Sequence, residues 1–255
     1  MIKLVVFDWA GTLVDYGSRA PALAFVETFA RFGVEASEAE ARAPMGMPKR
    51  PHIEQMLAAP PMAARWQAAH GPVTQQTIDN LYEAFEPIAA EVAMREAAPI
   101  PGVAQALSYL WSKNIHIGST TGYARSIMQG VLPKAAAAGV APDCVICADE
   151  ITGGRPEPDG VLANMAHFGV TDPADVLKID DAAPGILEGV NAGARSIGIT
   201  LSGNGVGLSE QALAALDADA TARARDAAAS ALTAAGAIAT LDSVADLPAW
   251  IEAQI

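Results

Sequence analysis

The chain has 255 residues, 51% of them hydrophobic and 18% charged, long enough to bury roughly 75% of its unfolded surface without disulfide or metal staples. Its formal net charge of −13 and its pI near 4.6 argue against a nucleic-acid groove or an anionic membrane surface as partner. No apolar run reaches the roughly 20 residues of a membrane span, and Met1 to Phe7 reads as a strand and not as a secretory leader, so a reducing cytoplasm is the expected location.

The first element, Lys3 to Phe7, is an apolar run that ends on Asp8 and turns through Gly11 and Thr12 to Asp15. Ligands of open parallel sheets bind beyond the carboxyl ends of the strands, so a carboxylate closing a buried strand reads as chemistry, with a turn cap as the alternative. From Pro21 to Gly33, Leu23, Val26, Phe29 and Phe32 repeat at helical spacing and the run ends on glycine. Helical patterns continue through Ser37 to Arg42, His52 to Ala58, Met62 to Ala69 and Thr74 to Arg95, the last expected to kink or break at Pro87. No strand pattern interrupts residues 17–97, and Pro99 to Gly102 marks a boundary.

Beyond it, helices are expected at Val103 to Lys113, Ala124 to Gly139, Pro158 to Phe168 and Gly185 to Asn191, alternating with strands at Ile115 to Thr120, Asp143 to Cys147, Val176 to Asp180 and Ala194 to Thr200. This alternation predicts an α/β fold with a doubly wound, Rossmann-like parallel sheet. The core would comprise residues 1–16 and 98–255, with an all-helical domain, residues 17–97, inserted after the first strand. Cys144 and Cys147 lie in a strand-like run, so a buried strand is favoured over a redox pair or half a zinc site. Gly203 to Gly207 lacks the spacing of a dinucleotide loop and reads as a surface turn. Residues 209–236 read as peripheral helix, Leu241 to Leu247 as a short strand or turn, and Pro248 to Ile255 as a closing helix.

Four polar groups close the core strands: Asp8 with Thr12, Thr120-Thr121-Gly122, Arg155 within Gly153 to Pro158, and Asp180-Asp181. Converging at one sheet edge, they would offer a nucleophilic carboxylate, donors and a cation for phosphoryl oxygens, and a carboxylate for a metal. In this order they resemble the four motifs of the haloacid dehalogenase superfamily. Phosphotransferases of that superfamily carry Asp-x-Asp in the first motif, the second acid moving a proton for an alkoxide leaving group; this chain has Asp8-Trp9-Ala10. The departure counts against an ordinary phosphate-ester phosphatase or sugar-phosphate mutase.

In the inserted region, Lys49 and His52 stand one helical turn apart, with Met45 and Met47 as apolar lining. On spacing alone, a solvated Lys-Arg pair in a loop competes with a lysine of lowered pKa acting as an amine nucleophile. The segments FDWAGTLVDYG, APMGMPKRPH, GSTTGY and GGRPEP together resemble the phosphonoacetaldehyde hydrolase (phosphonatase) family, over essentially residues 1–200. The resemblance implies hydrolysis of the C–P bond of phosphonoacetaldehyde to acetaldehyde and phosphate, through a Lys49 imine and an aspartyl phosphate on Asp8, with His52 moving protons. It further implies Mg2+ held by Asp8, the Ala10 carbonyl and Asp181; phosphoryl oxygens held by Thr121, Gly122 and Arg155; a pocket shaped by Met45, Gly46 and Tyr123; and a homodimer joined through the cap helices. Leu23, Phe25 and Phe29 would either supply that contact or pack the cap. Where many relatives have a second acid four residues after the metal aspartate this chain has Gly185, leaving Asp180 or water to take its place. Two rival readings stay open: a superfamily phosphatase or dehalogenase using Asp8 without an imine, and a non-catalytic binding protein on the same fold.

Overall fold

The structure, a computed structural model, describes residues 2–45 and 49–254. The elements run β1 (Leu4–Phe7), α1 (Ala20–Arg31), α2 (Glu38–Arg42), α3 (Lys49–Ala58), α4 (Pro60–His70), α5 (Gln75–Glu96), α6 (Val103–Ser112), β2 (His116–Thr121), α7 (Arg125–Ala137), β3 (Cys144–Cys147), α8 (Asp159–Phe168), β4 (Val176–Asp180), α9 (Ala183–Asn191), β5 (Arg195–Ile199), α10 (Glu210–Ala214), α11 (Ala218–Ala234), β6 (Ala239–Leu241) and α12 (Leu247–Glu252). They form two compact units, one of Met1–Arg19 with Glu96–Ile255, the other of Ala20–Arg95.

In the first unit the described strands make one six-stranded sheet, parallel throughout, in the order β3-β2-β1-β4-β5-β6. This is the doubly wound α/β arrangement expected from the alternation of strands and helices. β1 and β4 are buried along their whole length, as central strands covered on both faces must be. Register fixes which residues share a face. Val6 stands level with Gly118 and Lys178, and Lys178 with Ser196, so two residues further along Thr120, Asp8 and Asp180 emerge on that same face. Leu4 and Val6 pack there against Val161 and Met165 of α8. α9 lies close to β4: a methyl on Gly189 would overlap the side chains of Ser196 and Lys178.

The helical unit is built around Phe25 and Phe29 of α1, four residues apart and fully buried. The buried face of α1 therefore runs through Ala22, Phe25 and Phe29; of Leu23, Val26, Phe29 and Phe32, the face that the periodicity predicts, Phe29 alone is fully buried. Of the two uses open to Phe25 and Phe29, packing the cap is the one observed. Helix α2 opens with a capping box in which Ser37 and Glu40 satisfy each other's backbone N–H. Helix α5 runs unbroken across Pro87. Pro87 and Glu83, the residue whose carbonyl loses its donor, are both exposed, while buried Phe85 and Ile88 on either side of Pro87 hold the helix in place. The last strand ends at Leu241, where the sequence places its start; Val244–Asp246 forms a 3-10 turn capped by Ser243.

Candidate active site

The strand order reverses between β1 and β4, the position at which doubly wound sheets bind their ligands. Asp8 follows β1 there, its N–H bonded to the Ile179 carbonyl at 2.9 Å, and Asp180 and Asp181 close β4. Asp8, Asp180 and Asp181 are buried, and each presents an oxygen within 4.8 Å of the other two. Gly11 makes room for Asp181. Its φ of +81° suits glycine, and a Cβ at that position would run into the Asp181 carboxylate. The Asn204 N–H donates to Asp181 Oδ2 at 2.7 Å. The turn after β5 is therefore part of the site, with Gly203 buried, and not the surface turn that its composition suggests.

Arg155 reaches over this group. Its Nη2 lies 2.8 Å from Asp8 Oδ1 and donates to Thr120 Oγ1 at 2.8 Å; its Nε donates to Glu188 Oε2 at 3.1 Å, and Nη1 is 3.4 Å from Asp180. Burial works against the guanidinium charge, but Asp180, Asp8 and Glu188 outweigh it and hold the pKa above its ordinary value. Burial likewise pushes Asp8 up, against the pull of Arg155, with Asp180 adding to the rise. Asp181 rises well above the usual carboxylate range, through burial and the charges of Asp8 and Asp180.

Beneath Arg155 lie Lys178 and Glu188, both fully or almost fully buried, with Lys178 Nζ 3.1 Å from Glu188 and 3.1 Å from Asp180. Sequence reasoning missed both. Lys178 had a readable signal: a lysine inside Val-Leu-Lys-Ile-Asp, a strand buried on both faces, must find a buried partner. Glu188, one acid on a helix, had none.

Among the described residues of this cluster, Asp8, Asp180, Asp181 and Glu188 face only two cations, Arg155 and Lys178. Hard carboxylate oxygens, surplus negative charge and carboxyl groups that resist ionisation fit a hard divalent cation. Gly185 is not an empty place in this arrangement. The Asp180 carboxylate lies where a side chain at 185 would start, overlapping a Cβ there with Cγ and both oxygens.

Thr121 ends β2, and its Oγ1 accepts the Tyr123 N–H at 3.1 Å, shaping the turn around exposed Gly122. Among the described residues, none offers a hydrogen-bond partner to the buried Tyr123 hydroxyl or to Thr12 Oγ1. Burial and the charges of Asp15, Asp8 and Asp181 keep the Tyr123 phenol well above its ordinary pKa, so its O–H remains a donor. Buried polar atoms of this kind are positioned to bond a group brought into the site. Ala10 forms a bridge to Val14 and brings no proton-carrying group.

In the helical unit, Lys49 opens α3 with Nζ 5.8 and 5.7 Å from the ring centroids of Phe25 and Phe85. Burial lowers its pKa, and no acid among the described residues offsets the shift. His52, one turn on, stacks on Phe25 with centroids 3.7 Å apart, and its Nε2 lies 2.8 Å from the Ala41 carbonyl. A carbonyl only accepts, so Nε2 carries the hydrogen and Nδ1 the lone pair. Burial and the Lys49 charge bring His52 down to about 4, against that hydrogen bond. Met45 is half-buried, while Gly46 and Met47 lie outside the described residues. Of the other histidines, His70 bonds the Phe32 carbonyl and His116 stacks on Phe168.

The model of the haloacid dehalogenase-like hydrolases matches residues 2–193. Phosphonoacetaldehyde hydrolase of Paraburkholderia phytofirmans is 46% identical over 247 residues, covering 96% of this chain and 92% of that protein. The enzyme of that name from Klebsiella pneumoniae is 43% identical over 250 residues, covering 97% and 93%. Among solved structures, a phosphonoacetaldehyde hydrolase like protein from Oleispira antarctica superposes with a TM-score of 0.88 at 36% identity, covering 99% of this chain and 92% of that one. No described helix is long and apolar enough to cross a membrane.

Proposed function

The chain belongs to the haloacid dehalogenase-like hydrolases, in their phosphonoacetaldehyde hydrolase branch; it breaks the C–P bond of phosphonoacetaldehyde, and we propose that it does so through an imine on Lys49 and an aspartyl phosphate on Asp8. A C–P bond broken directly leaves a poor carbanion. An iminium on the neighbouring carbon is an electron sink for the departing pair. In this reading Lys49 Nζ attacks the aldehyde carbon and water leaves. Asp8 then attacks phosphorus in line, and the C–P pair moves into an enamine. Water hydrolyses the aspartyl phosphate, restoring Asp8 and releasing phosphate. The enamine takes a proton on carbon, and hydrolysis of the imine frees acetaldehyde and Lys49.

The observation that carries the reading is the setting of Lys49: an amine against two aromatic rings, its pKa lowered by burial with no acid among the described residues to offset it, so that the share of the neutral form that attacks a carbonyl is raised. His52 serves as the proton shuttle through Nδ1, since it stays neutral above about pH 4. Ala10 is consistent with this chemistry, because an enamine leaving group needs no proton on an oxygen. Thr121, Gly122 and Arg155 are assigned to the phosphoryl oxygens, and Met45, Gly46 and Tyr123 to the shape of the pocket. Asp8, the Ala10 carbonyl and Asp181 would hold Mg2+, with Asp180 beside them. When bound, that ion supplies positive charge against the phosphoryl group and the attacking carboxylate. The enzyme is assigned to the cytoplasm, as a homodimer joined through helices of residues 20–95.

Borohydride reduction during turnover tests the imine. A reduced adduct on the Lys49 peptide is expected, together with acetaldehyde and phosphate in equal amounts. Lys49→Arg keeps the charge but cannot form the imine and should abolish turnover. Turnover with no adduct, or an active Lys49→Arg enzyme, would overturn the mechanism.

A further inference from the structure

We propose that Glu188, seated on Lys178 and Thr120, is the positioning residue that aims Arg155; this rests on the assignment of Arg155 to the phosphoryl oxygens. Three donors converge on a single oxygen, Glu188 Oε2: Thr120 Oγ1 at 3.0 Å, Arg155 Nε at 3.1 Å and Lys178 Nζ at 3.1 Å. Thr120 Oγ1 is saturated, giving its hydrogen to Glu188 and accepting from Lys178 at 2.7 Å and from Arg155 Nη2 at 2.8 Å. Arg155 is thus held at Nε and at Nη2, two points on one side of a planar group. With Nη1 3.4 Å from Asp180 as a third point the guanidinium plane is set, and Nη2 also reaches Asp8 Oδ1 at 2.8 Å.

The surrounding chain is shaped to put the acid there. A methyl on Gly189 would push α9 off Lys178 and Ser196, and a methyl on Gly160 would overlap Glu188 Oε1 and Thr120 Cγ2. Both absences let a helical carboxylate sink to the level of the sheet edge. Burying an acid and a lysine only to bind one another is a poor way to gain stability, since an apolar pair of the same volume serves as well or better. What an apolar pair lacks is an acceptor for Arg155 Nε. Glu188 has no hydrogen bond to Asp8 among the described residues; the contact that joins it to Asp8 is Arg155, while Lys178 joins it to Asp180.

The test uses the full chain loaded with Mg2+. Glu188→Gln keeps the shape and removes the charge, and kcat should fall about tenfold or more while KM changes less than about threefold, the pattern of lost orientation and not of lost binding. Nitrogen-15 labelled arginine supplies a readout that a purely structural role would not move. The Arg155 Nε–H resonance, assigned by its loss in Arg155→Lys, should be protected from exchange in the parent and lose that protection in Glu188→Gln. An unchanged kcat, or a fall in kcat with the resonance unmoved, overturns the proposal. Should Glu188→Gln fail to fold by thermal melting, Lys178→Met with Glu188→Gln removes one charge of each sign, and the same two readouts decide. A parent enzyme that does not turn over phosphonoacetaldehyde would sink the functional reading alone, because the resonance still reports whether Glu188 holds Arg155.

Discussion

Asp180 and Gly185 share one volume. The carboxylate is fixed there by the Ala182 N–H at 3.1 Å on Oδ1 and faces Lys178 at 3.1 Å and Arg155 at 3.4 Å through Oδ2, so it has little freedom to retreat. Gly185→Ala adds a methyl that overlaps the carboxylate, an overpacking that costs about 1–3 kcal/mol. It also drives the acid away from Asp8 and Asp181. The expected outcome is a rise of about tenfold or more in the Mg2+ concentration for half-maximal activity, the scale on which outer partners of a metal site act. A titration of activity with Mg2+ checks it, and an unchanged requirement would show that Asp180 has no part in the ion's surroundings. Moving the acid with Asp180→Gly and Gly185→Asp together removes the overlap and should recover most of the loss that Gly185→Ala causes.

At the level of elements, the site depends on how closely α9 approaches β4, which predicts an effect of unusual sign. Alanine is favoured over glycine by about 1 kcal/mol in an ordinary helix interior. At position 189 the added methyl meets Ser196 Oγ and Lys178 Cβ, so Gly189→Ala should destabilise, by about 1–3 kcal/mol, and should weaken catalysis by lifting Glu188. Thermal melting gives the sign directly: a fall of several degrees is expected, at about 2–4 °C per kcal/mol for a chain of this size. The same closeness explains what could be read from sequence. Asp8, Thr121, Arg155 and Asp181 close apolar runs or flank turns, so their types and order survive without coordinates. Lys178 and Glu188 do not stand at strand ends, and only packing makes them neighbours of Arg155. For the same reason the buried face of α1 differs from its apolar repeat: alanines at 22 and 24 fill the interior while Leu23 remains half-buried. Pro87 marks a break by its own chemistry, yet the burial of Phe85 and Ile88 outweighs one missing hydrogen bond. At Gly203 to Gly207, composition predicts the turn but carries no trace of the Asn204 N–H that reaches Asp181.

On the scale of the whole molecule, the acidic cluster works against stability unless a cation neutralises it. The chain already carries a net charge of −13, and the switch point concentrates Asp8, Asp180, Asp181 and Glu188 around two cations among the described residues, Arg155 and Lys178. Without the ion, burial and the neighbouring acids raise Asp181 well above its ordinary 3.8, so the folded state binds a proton that the unfolded chain has released. The sign follows from linkage: the penalty is absent below 3.8 and grows as pH rises toward the folded-state value, so the metal-free protein loses stability with rising pH. Lowered surface acids such as Glu40, at about 2 through Arg65 and the Ser37 backbone, act oppositely, losing their contribution as pH falls from 4.5 toward 2, and so leave the neutral range to the site. Mg2+ bound to the folded form alone adds stability according to its concentration over its dissociation constant, and it displaces protons in doing so. Melting temperatures measured with chelator and with Mg2+ should therefore diverge, the increment being larger at about pH 8 than at about pH 5.5. Asp181→Asn removes the repelled acid and keeps its shape. That variant should melt above the parent in chelator and respond little to Mg2+, with its gain in stability accompanied by loss of turnover, because the acid that burdens the empty fold is the one assigned to hold the ion. An increment that shrinks with rising pH would place the titrating group outside this cluster.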